Sequence, residues 1–125
     1  MTGFPIATAT PDCAPWDGPA LSIVLSGESA DPDSTQPPFL HVALWQSLDR
    51  VVGPIWRWPV DAQIGAASLC LAEQDCRAAT RAIVWLEPFG VDSAVAGRLR
   101  LEFADRPTIA GSFRATWRPR IGRCG

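Results

Sequence analysis

Between Ala96 and Arg118 apolar and polar positions alternate. Leu99, Leu101 and Phe103 interleave with Arg98, Arg100 and Glu102. Beyond a polar turn at Asp105-Arg106-Pro107, Ile109, Gly111, Phe113, Ala115 and Trp117 interleave with Ser112, Arg114, Thr116 and Arg118. A period of two sets one row of side chains against a core and the other in water. Two such runs around a short turn predict an antiparallel hairpin.

The same pattern recurs upstream. In Ala20 to Ser26, Leu21, Ile23 and Leu25 share a face. In Thr80 to Glu87, Ala82, Val84 and Leu86 oppose Arg81, Ile83, Trp85 and Glu87. Phe39 to Trp45 is apolar on both sides apart from His41, which predicts a strand buried on both faces. His41 is then hydrogen-bonded inside or sits at the exposed end. Val51-Val52 opens a further strand that Gly53-Pro54 breaks, and Ile55 to Pro59 is a short one. Ala67 to Ala72 reads as a strand, with one helical turn at Glu73 to Ala79. A helix over Ala66 to Arg81 is the alternative, since its Ala, Leu, Glu, Gln and Arg favour helices. That segment lacks a three-four apolar spacing and a cap. Residues 1–19 hold Pro5, Pro11, Pro15 and Pro19 without periodicity. They read as an extended, proline-rich leader, partly docked through Cys13 and Trp16. The expected fold is all-β: over residues 20–125, a single antiparallel β-sandwich of about seven strands, or a partly closed barrel, with at most one short helical turn.

Composition narrows this picture. The chain has 125 residues, a length suited to one domain. Charged residues make up 19%, below the usual ~25%, which argues against disorder. No apolar run approaches the ~18 residues of a membrane-spanning helix. Residues 1–76 carry nine acids and two Arg (−7), and residues 77–125 carry nine Arg and four acids (+5), together the net −2. Arg98, Arg100, Arg114 and Arg118 fall on the polar side of the hairpin. Such a stripe is either a solvated face with acids nearby or an anion site. The acidic total and the lack of a dense basic cluster argue against nucleic acid.

The four cysteines, Cys13, Cys70, Cys76 and Cys124, allow three pairings. Cys13–Cys124 would tie the ends together and Cys70–Cys76 would close a small loop between strands. Structural zinc wants two close ligand pairs. Here the cysteines are scattered and His41 is the only histidine, so no metal is expected. Glu28, Asp31, Asp33 and Ser34 form an oxygen-rich loop, but its spacing is not that of a calcium loop and Pro32 interrupts it. Disulfides imply an oxidising compartment. Met1 to Asp12 has neither the basic nor the apolar region of a signal peptide. It reads as the leader of a mature exported protein, placed in the periplasm or at the cell surface.

Catalytic signals are sparse. His41 lies in an apolar run, and no Gly-x-Ser-x-Gly elbow, His-Glu-x-x-His, P-loop or dinucleotide fingerprint is present. No catalytic residue and no cofactor is expected. The six tryptophans are the better lead. Trp45 and Trp117 fall on core faces. Trp56 and Trp58, two apart, point the same way, with Arg57 opposite, and Trp85 shares its side with Arg81 and Glu87. Exposed indoles stack on sugars or anchor protein partners, and buried ones fill a core. The candidate ligand-binding residues are therefore Trp56, Trp58, Trp85 and Arg57. The expected function is a non-enzymatic, exported binding or structural module of the bacterial envelope with a protein partner. A carbohydrate-binding module, with a saccharide partner, is the alternative, and a small periplasmic enzyme or inhibitor comes third.

Overall fold

A computed structural model describes residue 1, residues 3–27, 37–59, 64–88 and 94–119, and residue 124. Nine strands form one mixed sheet, and no helix occurs among the described residues. In chain order they are β1 (Ile6–Cys13), β2 (Pro19–Ser26), β3 (Phe39–Leu44), β4 (Ile55–Trp58), β5 (Gly65–Ala72), β6 (Asp75–Ala78), β7 (Arg81–Leu86), β8 (Ala94–Glu102) and β9 (Ile109–Trp117). Their spatial order is β4-β7-β8-β9-β1-β2-β3-β5-β6. Every pair is antiparallel except β1 with β9, which run parallel through Thr8–Thr116 and Ala9–Trp117.

The sheet is strongly curled. β6 and β7 stand seven places apart in the order, about 34 Å in a flat sheet at ~4.8 Å per strand. Yet Ala78 and Arg81 are only three peptide steps apart, a reach of at most ~11 Å. The backbone between them shows how the distance is closed. Ala79 N–H donates to Ala67 O of β5 (2.9 Å), and Thr80 N–H donates to Glu102 O of β8 (2.7 Å). An ion pair from Arg77 to Asp105 spans the same gap. The result is a half-barrel with an interior lined from all sides.

That interior is a single apolar cluster. Leu21, Ile23 and Leu25, Leu40, Val42 and Leu44, Val84 and Leu86, and Val95 and Leu101 are all but sealed from solvent. Ala7, Ala9, Ala67, Ala82 and Ala115 alternate with these larger side chains, as a tightly curved barrel wall requires. Gly97 belongs to the same logic. A Cβ there would collide with the Trp85 carbonyl and sit 3.2 Å from Cζ of Phe113. The connection from β3 to β4 closes one end: Trp45 N–H donates to Ile64 O (2.7 Å), Gly53 N–H to Leu86 O (3.3 Å), and Val51 is fully buried between them.

Both disulfides pair as the end-to-end reading expects, Cys13–Cys124 and Cys70–Cys76. The first closes a loop of 111 residues and the second one of 6. On a chain-entropy argument the long closure contributes about 4.7 kcal/mol and the short one about 2 kcal/mol.

Several expectations are corrected. The two-sheet antiparallel sandwich gives way to one curled, mixed sheet, so the partly closed barrel is the nearer description. Residues 6–13 are no leader but an interior strand, paired with both β2 and β9. Its inward residues Ala7 and Ala9 are too small to raise a periodic hydrophobic signal. Pro11 is accommodated because pairing with β9 ends at Ala9, leaving one neighbour, Leu21, at its position. The turn at Glu73 to Ala79 is no helix: Cys70 faces Cys76 across a hairpin, and the bridge holds β6 as an edge strand. Val51-Val52 is not a strand, since Val51 gives its carbonyl to the Trp56 indole N–H (2.9 Å) instead of to a ladder. Phe39 to Leu44 alternates, with Leu40, Val42 and Leu44 buried and Phe39, His41 and Ala43 half-buried. The loop with Glu28, Asp31, Asp33 and Ser34 lies outside the described residues.

Candidate functional site

Pairing registers place the side chains of β4, β7 and β8 in rows. On the outer surface one row runs Ile55, Trp85, Arg98 and the next runs Arg57, Ile83, Arg100. Alternation produces this directly: each of these residues except Ile55, which opens β4, lies between two inward positions of its own strand. The rows enclose a groove of about 240 Å³ lined by Ile55, Arg57, Ile83, Trp85, Arg98 and Arg100, with Leu99 at its base. Ile55 is 53% exposed, although large aliphatic side chains are usually withdrawn from water. Groove cations outnumber groove acids by three to none. The nearest carboxylate on β8, Glu102, stands 3.8 Å from Arg100 Nε and 3.9 Å from an Arg81 nitrogen, at the groove's end.

The four candidate residues therefore divide. Trp85 and Arg57 stand together on the outer surface. Trp56 and Trp58 turn inward: Trp58 is 8% exposed, and Trp56 packs against the core with its indole N–H bonded to Val51 O. The two rings share one direction, as a two-residue spacing demands, and that direction is the core. Ile55, Ile83, Arg98 and Arg100 complete the groove; the two arginines belong to the stripe that the sequence offers as a solvated face or an anion site, and the two isoleucines were not singled out. The signal was the alternation itself, which gives the outward set once the strands are paired in register.

A second aromatic feature lies at the β1–β2 turn. Asp17 N–H donates to Ala14 O (2.9 Å) and Asp17 takes φ 66°, a left-handed conformation Asp tolerates. This lifts Trp16 to 55% exposure, edge-on to Trp45 at 5.4 Å and 81°. Perpendicular rings do not make a flat platform for a sugar. Trp45, expected in the core, is half-buried here, whereas Trp117 packs on the core as expected.

His41 is hydrogen-bonded. Its Nε2 lies 2.5 Å from Ser22 Oγ, and the direction of that bond follows the imidazole tautomer. Burial pushes the His41 pKa below its ordinary value, partly opposed by the Asp12 charge. A base beside a hydroxyl is half of a nucleophilic site. Ser22, however, is 4% exposed, so its oxygen has no room to meet a substrate carbonyl. All four cysteines are in disulfides, and no group of three or more metal-binding side chains occurs among the described residues.

Comparison with protein-family models, with curated proteins and with solved structures finds no match.

Proposed function

We propose that the protein is a non-enzymatic binding module that docks a protein partner on the outer surface of β4, β7 and β8. The observation that carries this reading is the groove itself: exposed Ile55 beside Ile83 and Trp85, framed by Arg side chains, at the edge of the sheet. Trp and Arg dominate the energetics of protein interfaces. A lone outward indole among aliphatic side chains suits such an anchor better than it suits stacking on a run of sugars, for which the inward Trp56 and Trp58 offer no platform. The burial of Ser22 beside half-buried His41 supports a binding role over a hydrolytic one. Two disulfides are compatible with an oxidising compartment, and we extend the proposal to an exported protein of the periplasm or cell surface.

Selection from a random peptide library tests the reading. Clones are enriched on the native protein and counter-selected on Trp85→Ala. A convergent set that requires Trp85 is expected. Failure to enrich, together with saturable quenching by soluble oligosaccharides, would move the protein to the carbohydrate-binding class.

A further inference from the structure

We infer that the groove takes an extended segment of a partner protein in which acidic and apolar residues alternate. The inference rests on the protein-docking reading above and adds the chemistry of the partner.

Two rows of equal spacing carry it. Arg98 and Arg100 stand two residues apart on β8, and Ile83 and Trp85 stand two residues apart on β7, in register with them. Two residues of strand span about 7 Å. An extended peptide lying along the seam between β7 and β8 throws alternate side chains to opposite sides with that same repeat. Its carboxylates then reach Arg98 and Arg100 while its intervening apolar side chains cover Ile83 and Trp85, with Ile55 behind them. Arginine suits this role because its planar fork grips a carboxylate through two hydrogen bonds. Charge complementarity also selects against the wrong occupants. The groove lining holds cations and no acid, so a second copy presenting the same face would set Arg against Arg. A basic segment would be repelled for the same reason.

A synthetic peptide of alternating Glu and Leu, flanked by Gly-Ser for solubility, is titrated against the full chain. Binding is followed by tryptophan fluorescence and by the NMR signals of the Trp85 indole and the Ile55 and Ile83 methyls. Saturable binding that moves those signals is expected. The double variant Arg98→Glu/Arg100→Glu should bind about tenfold more weakly, since it sets like charge against the peptide's carboxylates. The charge-swapped peptide, Arg in place of Glu, should prefer that variant to the native protein. Arg98→Gln, a milder outer-surface change, guards against misfolding and should show an intermediate loss with an unchanged circular-dichroism spectrum. If a Ser-Leu peptide binds equally well and the Arg variants have no effect, the acidic requirement is overturned while protein docking at Trp85 stands. If no peptide binds and a sulfated oligosaccharide does, both readings fall.

Discussion

The outer surface of β4, β7 and β8 and the outer surface of β1, β2 and β3 cover the same apolar interior, yet they are built from different chemistry. The second sets buried small polar groups among half-buried apolar ones: Thr8 is 5% exposed, Ser22 4% and Ser26 2%, His41 is bonded to Ser22, and Ile6, Val24 and Phe39 share their rows. Its polar groups are withdrawn, and the one imidazole has its partner within the sheet. The first presents long side chains, with Ile55, Trp85, Arg98 and Arg100 standing up around a groove. A surface that hides small polar groups is finished as part of the fold. Exposed Ile55 beside half-buried Ile83 and Trp85 leaves apolar area to cover, which is what supports the docking proposal.

The comparison breaks most visibly at tryptophan. Trp58 and Trp85 sit on neighbouring strands but on opposite sides of the sheet. Trp58→Ala opens the core and should cost about 3–5 kcal/mol. Trp85→Ala should cost under ~1 kcal/mol while abolishing ligand capture. Urea unfolding of both variants measures this contrast, and equal losses would mean that the groove is structural.

A smaller effect is expected on the polar side. Ser22→Ala removes the partner of a half-buried imidazole and should cost about 1 kcal/mol with no change in ligand binding. A binding defect in Ser22→Ala would show that the two surfaces are not independent.

The smallest effect is a pH slope. The folded His41 pKa is below its ordinary 6.5, so on acidification the unfolded chain takes up this proton first. Stability from this residue is complete above pH 6.5 and falls as pH drops from there toward the folded pKa. His41→Gln should remove that part of the slope, read as the difference in urea midpoint between native and variant protein from pH 7.5 to pH 5. An identical slope in both proteins would place the titration elsewhere.

Much of the wall of the barrel was legible along the chain. Alternation in Arg81–Leu86, Ala94–Glu102 and Ile109–Trp117 fixed which side chains face the core, because large aliphatic residues and arginines contrast sharply. The same rule failed at Ile6–Cys13, where Ala and Thr differ too little in size and polarity to mark a face. It gave outward sets strand by strand but not which of them come together in a groove. Trp56 and Trp58 look like binding residues in a list of exposed aromatics, and only packing against Val51 and the core shows that they are wall-fillers.

The sequence by itself determined an all-β chain and the sided pattern of the strands in which large aliphatic residues alternate with polar ones, since these depend on local period, and it left three cysteine pairings open. Tertiary structure decided the rest. Which strand lies beside which is set by long-range pairing, here including a parallel contact between the first strand and the last. That pairing brings Arg57 of β4, Ile83 and Trp85 of β7, and Arg98 and Arg100 of β8 into one groove. Residues separated by more than forty positions become neighbours only because β4 crosses over to pair with β7, a choice made by burial of the whole core and by no local signal.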